Sequence, residues 1–397
     1  MADRNPPDIH QGAGAKRGGT SGVADFRYKR PSRPEPAAPP ATFPAASATV
    51  AGDRRQAYAA LDLGTNNCRL LIARPSGANF TVIDAFSRVV RLGEGLAASG
   101  RLSDTAMDRT MAALQVCAEK LRRRHVHLAR SVATEACRRA VNGPDFIERV
   151  RTETGIALDI ISAQEEARLA VLGCHILLDD HQGPAIIFDI GGGSTELVLV
   201  EPAGAVPRII DWMSVPWGVV SLTDTVAGGD SDIADRLERY GRMRKIVAAS
   251  FRPFAERIRV YAEGHRPLRL LGTSGTVTTL ASLHLELPQY DRRAVDGLIV
   301  TAGAMRDISD RLTRMSVAER RALPCIGDDR ANLVVAGCAL LESILDIWPS
   351  ETLGVADRGI REGILRSLMA ADVVGERSRA ALQRLRGGAG AAAQART

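Results

Sequence analysis

The stretch FDIGGGSTELVLV, residues 188–200, decides how we interpret this chain. An apolar run stops at Asp189, three glycines and two hydroxyl residues follow, and a second apolar run begins at Leu197. This pattern predicts a strand, a tight turn and a second strand. Glycines lack the Cβ atoms that would keep a ligand from the backbone, and successive N–H groups in such a turn can converge on an anion. We therefore expect the turn to bind phosphate through Gly191, Gly192, Gly193 and Ser194. The alternative is a glycine-rich turn that binds nothing.

Two carboxylates flank this turn. Asp189 ends the first strand, where it can hold a hydrated Mg²⁺ against a bound phosphate, because Mg²⁺ usually keeps several waters and takes only one or two carboxylates. Glu196, seven residues later, could hold a metal-bound water. The alternative for Glu196 is an exposed strand carboxylate with no ligand.

A second stretch repeats the plan of the first. LDLGTNNCRLLIAR, residues 61–74, again reads as an apolar strand, D-x-G, polar residues and an apolar strand. Two copies of such a hairpin imply two related half-domains that face each other across a cleft. A third segment, GTSGT, follows an apolar run and precedes a helix-like stretch, so it would aim helix N-terminal amides at a further anion. The phosphate-binding residues predicted in these two segments are Gly64, Thr65, Asn66, Gly272, Thr273, Ser274, Gly275 and Thr276.

With these three motifs in this order and spacing, the chain resembles the exopolyphosphatase and guanosine pentaphosphate phosphohydrolase family, which belongs to the actin-like superfamily. The match continues in RLGEGL (91–96), ATEACR (133–138), ISAQEEARL (161–169) and GIREG (359–363). It covers about Tyr58 to Leu368 and fits the short, two-domain form of the family. The fold class that this resemblance implies is α/β, with two actin-like (ribonuclease H-like) domains facing across a cleft and mixed sheets flanked by helices.

The helix that follows Ser162 carries two adjacent glutamates. Ser162 and Glu165 form an S-x-x-E capping box, so we expect the Glu165 side chain to fold back onto the N-cap amide. Spacing alone does not choose between the two glutamates as a catalytic group. The resemblance identifies Glu166, the second Glu of E-E-A-R, as a general base that orients and deprotonates water.

The resemblance also implies two arginines that contact substrate phosphates, Arg138 and Arg330. Either one alone would more often be a surface charge, but a guanidinium fork suits a phosphate group. Arg139 stands where members of the family usually have Glu.

Together these parts predict hydrolysis. Mg²⁺ near Asp62 and Asp189, the backbone amides of the three turns and the two arginines would neutralise the transferring phosphoryl group, while Glu166 positions water in line. The substrate is inorganic polyphosphate or guanosine pentaphosphate, and the sequence does not separate them. A sugar kinase of the same superfamily and a sensor that binds polyphosphate or guanosine polyphosphates without turnover remain as alternatives.

Composition bounds the remaining possibilities. The formal net charge is +6, but residues 1–55 contribute +4 and residues 377–397 contribute +5, which leaves −3 for the core. We therefore do not expect the folded part to bind a specific nucleic acid. No apolar run approaches a membrane span, and the six cysteines form no C-x-x-C pair, so we expect a soluble cytoplasmic protein with reduced thiols and without a zinc site. The family often forms homodimers.

Four segments are expected from composition, from the motif positions and from the fold that the resemblance implies. Residues 1–55, rich in Pro, Gly and Ala, and residues 377–397 should be disordered tails. Residues 56–180 should form the first actin-like domain, with 355–370 returning to it, and residues 181–354 should form the second.

Overall fold

The protein is described by a computed structural model that covers residues 56–77, 79–178, 183–201, 203, 206–226, 228–263 and 268–372. The two predicted disordered tails lie outside these described residues. Among the described helices, none is long and apolar enough to cross a membrane.

Two mixed sheets form the framework. The first has the strand order β3-β2-β1-β4-β5 and the second has the order β10-β11-β9-β6-β7-β8. The strands are β1 Ala57–Leu63, β2 Asn67–Ser76, β3 Asn79–Val89, β4 Val126–Ala133, β5 Leu158–Ile160, β6 Ala185–Ile190, β7 Thr195–Glu201, β8 Arg208–Val215, β9 Arg269–Thr273, β10 Ile299–Thr301 and β11 Thr352–Ala356.

The predicted repeat is confirmed in the strand pairing. In the first sheet β1 pairs antiparallel with β2 and parallel with β4. In the second sheet β6 pairs antiparallel with β7 and parallel with β9. Each sheet therefore places a D-x-G hairpin at its centre, with the aspartate near the carboxyl end of a central strand.

Helices cover these sheets. They are α1 Leu96–Ser99, α2 Asp104–Arg123, α3 Glu135–Arg139, α4 Gly143–Thr154, α5 Ala163–Cys174, α6 Val219–Thr225, α7 Ile233–Arg257, α8 Arg259–Ala262, α9 Ser274–His284, α10 Arg292–Val295, α11 Ala302–Arg314, α12 Val317–Arg321, α13 Gly327–Arg330, α14 Val334–Ile347 and α15 over residues 360–372.

The central strands are buried on both faces, which explains why they read as continuous apolar runs. Along β1, Ala59 and Leu61 belong to one core, whereas Tyr58 and Ala60 belong to another on the opposite face. The alternation follows from the two-residue period of a strand. The second sheet likewise separates two cores, one under α7, α9 and α14 and one under α5.

Helix α5 contacts both halves of the molecule, and the domain boundary at residue 180 remains a prediction. Leu169 and Ala170 pack in a core of the first sheet, whereas Val171 and Cys174 pack against the second sheet. The predicted return of residues 355–370 to the first domain holds only for the helix. β11 pairs with β9 in the second sheet, and Ile364 in α15 packs on the first sheet.

Glu165 does not complete the predicted capping box. The Ser162 hydroxyl accepts from the Glu165 amide as expected, but the Glu165 carboxylate accepts from Arg130 (2.9 Å) and from Arg168 (2.6 Å) instead of the N-cap amide. A charge-assisted hydrogen bond from a guanidinium is stronger than one from a neutral amide. The Glu165 carboxylate therefore binds the two arginines instead of the N-cap amide.

Two helical glycines give a matched test of the contact between α5 and the start of α15. A Cβ at Gly173 would overlap the backbone carbonyl of Gly359, whereas a Cβ at Gly241 in α7 would meet nothing within 4 Å. We expect Gly173→Ala to lower the free energy of unfolding by about 2–3 kcal/mol, because the helices must separate. Gly241→Ala should raise it by up to about 1 kcal/mol through helix propensity. Urea denaturation measures both, and equal effects would contradict the close packing.

Candidate active site

A cleft of about 1150 Å³, counting its open mouth, lies between the two halves. It opens at the carboxyl ends of β1, β6 and β9, where ligands commonly bind in α/β sheets. Sixteen of the predicted site residues line it. They are Asp62, Gly64, Thr65, Asn66, Glu166, Asp189, Gly191, Gly192, Gly193, Ser194, Glu196, Thr273, Ser274, Gly275, Thr276 and Arg330. Gly272 and Arg138 are not among the residues that line the cleft.

The two D-x-G turns touch each other across the cleft. A Cβ on Gly192 would lie 3.0 Å from the Asn66 amide nitrogen, and one on Gly193 would lie 2.5 Å from the Thr65 hydroxyl oxygen. None of Gly191, Gly192 and Gly193 has a positive φ. Glycine is therefore required here by the close approach of the other half of the molecule, in addition to any approach of a ligand.

The carbonyl groups of the second turn are held by α6. Gly191 O accepts from the Val219 amide at 3.0 Å, and Gly192 O accepts from the Val220 amide at 2.8 Å. These bonds satisfy the first amides of the helix, which have no partner within the helix itself. They also keep two carbonyl oxygens on protein donors in a cleft where they would otherwise repel an anion.

Asp62 and Asp189 occupy matching places in the two sheets. Both line the cleft, and burial raises the pKa of both carboxyl groups, that of Asp189 to about 6. Asp62 Oδ1 is buried and has no hydrogen-bond partner among the described residues. A buried carboxylate oxygen without a donor is costly, and a cation would remove that cost.

The residues present fit a hydrated Mg²⁺ with few protein ligands. Within the described residues, no three His, Cys, Asp or Glu side chains converge on one metal position. Mg²⁺ usually takes one or two carboxylates and completes its shell with water and phosphate oxygens, so Asp62 and Asp189 would suffice. The predicted role of Glu196 in holding a metal-bound water remains a prediction.

Glu196 is buried, and the alternative of an exposed strand carboxylate is wrong. It is 2% exposed, and its Oε1 accepts from the Ser194 hydroxyl at 2.7 Å and the Ser214 hydroxyl at 2.9 Å. Burial, followed by the nearby charge of Asp189, raises the pKa of Glu196 to about 7. The cross-strand register explains the proximity, because Asp189 lies directly opposite Glu196.

Glu166 lies in the first turn of α5 and is also buried. Its Oε2 accepts from Arg138 Nη1 at 3.0 Å. Burial and then the charge of Glu196 raise the pKa of Glu166 well above its usual range, while Arg138 lowers it. A raised pKa suits a carboxylate that must accept a proton near neutral pH.

Arg138 stands behind Glu166 instead of lining the cleft. Its Nη2 donates to Glu135 Oε2 at 2.6 Å, and its Nη1 donates to the Ile161 carbonyl at 2.8 Å as well as to Glu166. The guanidinium is therefore occupied by two carboxylates and a carbonyl. This geometry supports a role in positioning Glu166, and the predicted phosphate contact of Arg138 remains a prediction. Arg139 lies 3.9 Å from the other oxygen of Glu135.

Arg138 gives a second matched prediction. Arg138→Met removes the cation from two buried carboxylates, and we expect the free energy of unfolding to fall by about 3–5 kcal/mol. Arg149→Met removes an exposed arginine that pairs with Asp108 and Glu153, and it should cost about 1 kcal/mol or less. Urea denaturation at one pH compares the two variants. Equal losses would mean that Arg138 does not hold a buried network.

The third predicted segment has no loop. β9 ends at Thr273 and α9 begins at Ser274, whose φ of 90° is rare for a residue with a side chain. Such strain is often found at functional sites. Gly272 lies inside the strand, where a Cβ would meet the Phe188 ring at 2.6 Å, so its lack of a side chain serves core packing. Its predicted phosphate contact remains a prediction.

Two arginines converge on the first turn of α9. A Cβ on Gly275 would lie 3.7 Å from Arg69 Nη2 and 3.8 Å from Arg330 Nη2. Arg330 Nη1 donates to the Thr279 hydroxyl at 2.5 Å, and burial lowers the pKa of Arg330. A helix N-terminus beside two guanidinium groups favours a bound phosphate.

Arg69 is a cleft residue that the sequence reasoning missed. It lies directly opposite Asp62 in the β1–β2 register, and its charge lowers the pKa of both Asp62 and Asp189. One signal was available, because Arg69 interrupts an apolar strand at the position that pairs with the motif aspartate. Arg361, Asp357 and Glu135 also line the cleft and were not predicted.

The chain is similar to several known proteins. A model of the Ppx/GppA phosphatase family matches residues 71–371. Exopolyphosphatase 2 of Mycobacterium tuberculosis is 31% identical over 328 residues, which cover 78% of this chain and 98% of that protein. A solved Ppx/GppA family member from Aquifex aeolicus is 28% identical with a TM-score of 0.65, covering 80% of this chain and 98% of that one.

A more distant structure has the same fold. An exopolyphosphatase from Cytophaga hutchinsonii is 23% identical with a TM-score of 0.72, covering 80% of this chain and 98% of that chain. The predicted fold class, two actin-like domains with mixed sheets flanked by helices, is confirmed.

Proposed function

The chain belongs to the Ppx/GppA phosphatase family, and from this premise we propose that it is an exopolyphosphatase, which releases the terminal phosphate of inorganic polyphosphate. The enzyme class is a hydrolase of phosphoric anhydrides. One observation carries the proposal: a buried glutamate, Glu166, shares a cleft with two D-x-G turns and with the Arg69–Arg330 pair at the start of α9. Water, an anionic substrate and a base would meet there.

Different residues would bind the phosphate and accept the proton. Arg69, Arg330 and the first amides of α9 would bind the terminal phosphate and stabilise the charge on its oxygens. Glu166, held by Arg138, would accept a proton from a water molecule as its oxygen attacks the terminal phosphorus. The bond from that phosphorus to the bridging oxygen breaks, which gives inorganic phosphate and a chain one unit shorter. Mg²⁺, when bound at Asp62 and Asp189, would supply further neutralisation of phosphate charge.

The cleft favours polyphosphate over guanosine pentaphosphate. None of the described residues that line it is Phe, Tyr, Trp or His. Proteins commonly hold a nucleobase by stacking it on an aromatic ring, and nucleotide sites are usually rich in apolar and aromatic side chains. Guanosine pentaphosphate hydrolysis remains the second candidate, because its terminal anhydride is chemically the same as that of polyphosphate.

The deciding experiment is phosphate release with Mg²⁺ from long-chain polyphosphate and, separately, from guanosine pentaphosphate. A higher kcat/KM on polyphosphate is expected. A higher value on the nucleotide would assign the protein to the second candidate. Equilibrium binding of either compound with the intact compound recovered afterwards would instead identify a sensor without turnover.

A further inference from the structure

The motif GIREG, residues 359–363, has no part in the reaction described above. We propose that Arg361 is a phosphate-binding residue that contacts the polyphosphate chain in the cleft. The proposal rests on the proposed substrate and adds a subsite to it. Arg361 lies in the first turn of α15, the helix that packs on the first sheet, and it lines the cleft.

The neighbours of Arg361 are satisfied within the protein. Glu362 is 2% exposed, and its two carboxylate oxygens accept from Arg292 Nη2 at 2.8 Å and from the Gly359 amide at 3.0 Å. Arg358 donates from Nε to Asp296 Oδ2 at 2.6 Å. These contacts hold the backbone of the motif in place. The Glu362 carboxylate is bonded to Arg292 and to the Gly359 amide, and not to Arg361.

Arg361 differs from Glu362 and Arg358 in its bonding. Within the described part of the chain its guanidinium makes no hydrogen bond or ion pair, although the residue is only half exposed. Arg361 is bonded to neither Asp357 nor Asp62, two carboxylates that line the same cleft. Asp357 is paired with Arg292 at 3.1 Å, and Asp62 Oδ1 has no hydrogen-bond donor. A half-buried guanidinium with five unused donors favours an anion that can accept two of them, as a phosphate can.

Arg361 lines the same cleft as the turn that contains Asp62. Gly64 and Thr65 of that turn also line this cleft. Arg69 on β2, Arg330 on α13 and Arg358, which donates to Asp296, also line this cleft, so among the described residues Arg361 is the fourth arginine there. The proposed substrate carries a negative charge on every phosphate unit.

The test compares Arg361→Gln with Arg366→Gln, a variant on the same helix with the same change of charge. Arg366 contacts Asn79 at 3.2 Å and the Phe80 ring, and it does not line the cleft. Loss of a charge-assisted hydrogen bond costs about 1.5–3 kcal/mol, so Arg361→Gln should raise KM for long-chain polyphosphate by about 10–100-fold. kcat should change much less, and Arg361→Lys should recover part of the loss.

A binding measurement separates this subsite from the catalytic step. In the Glu166→Gln background, Arg361→Gln should raise the Kd for long-chain polyphosphate, and the slope of log Kd against log salt concentration should fall by about one. Arg366→Gln should leave both unchanged. An active parent whose Arg361→Gln variant keeps its KM and Kd would overturn the role of Arg361. A parent that releases no phosphate would overturn the proposed function instead.

Discussion

Glu166→Gln should reduce kcat for phosphate release by about 10²–10⁴-fold while the protein stays folded, because the general base is lost and little else changes. Glutamine has the same shape, and its amide oxygen can still accept from Arg138 Nη1, which now donates to Glu166 Oε2 at 3.0 Å. Steady-state kinetics give kcat, and thermal unfolding checks the fold. The expected Tm change is small compared with the loss of rate.

The neighbouring Glu165→Gln is the matched control. Glu165 forms ion pairs with Arg130 and Arg168 and does not line the cleft, so this variant should keep kcat within about twofold. If Glu165→Gln loses as much activity as Glu166→Gln, the assignment of the base is wrong. The two residues are adjacent on one helix turn, so a general disturbance of α5 would affect both variants alike.

Acid should inactivate the parent for the same reason. The pKa of Glu166 is raised by burial and by Glu196, so the carboxylate takes up a proton at a higher pH than an exposed glutamate does. A protonated glutamate cannot accept a proton from water. log(kcat/KM) should therefore fall as the pH decreases through this raised pKa, with a slope of one or more.

The sequence was sufficient for the framework because glycine turns and apolar strands are local signals. The D-x-G hairpins around Asp62 and Asp189 were predicted from their neighbours in the chain, and the strand pairing confirms them. Their facing arrangement followed from the repeat. Glu166 needed the family resemblance, because the spacing of E-E-A-R fits either glutamate.

Contacts between side chains that are far apart in the chain could not be predicted from the sequence. The bonds from Arg138 to Glu135 and Glu166 could not be predicted, because they depend on where α3 lies relative to α5. The phosphate contact of Arg138 that the resemblance implies remains a prediction. The Glu165 carboxylate accepts a hydrogen bond from Arg130, 35 residues away, instead of one from the N-cap amide. Gly272 belongs to a strand because β9 runs into α9 without a turn, a boundary that a G-T-S-G-T pattern does not mark.

Asp189→Asn should make the protein more stable and nearly inactive. The pKa of Asp189 is about 6 in the folded protein, whereas an exposed aspartate has a pKa of 3.8. The folded state thus binds the proton more tightly than the unfolded state does, and the stability of the metal-free parent falls as the pH rises from about 4 through 6. The shift corresponds to about 3 kcal/mol at pH 8, where the penalty is complete, and the neutral asparagine avoids it.

Added Mg²⁺ should make the parent more stable than the Asp189→Asn variant. In the parent, a cation at Asp189 offsets the buried charge, so added Mg²⁺ at pH 8 should raise Tm, whereas the Tm of Asp189→Asn should not respond. Phosphate release by the variant should fall by about 10²–10³-fold, because the cation contributes several kcal/mol of charge stabilisation in the transition state. Asp159→Asn, which changes an exposed carboxylate at the end of the first sheet, should follow the parent in both measurements.

These two outcomes are linked by one physical cause, the burial of a carboxylate that has a use only when a cation and a phosphate are present. A protein selected for stability alone would not keep Asp62 Oδ1 without a donor and Asp189 with a raised pKa in the same cleft. If Asp189→Asn is less stable than the parent at pH 8 without Mg²⁺, Arg69 already compensates the charge, and the cation is not needed at this position. If the variant retains the Mg²⁺-dependent rise in Tm, the cation binds elsewhere.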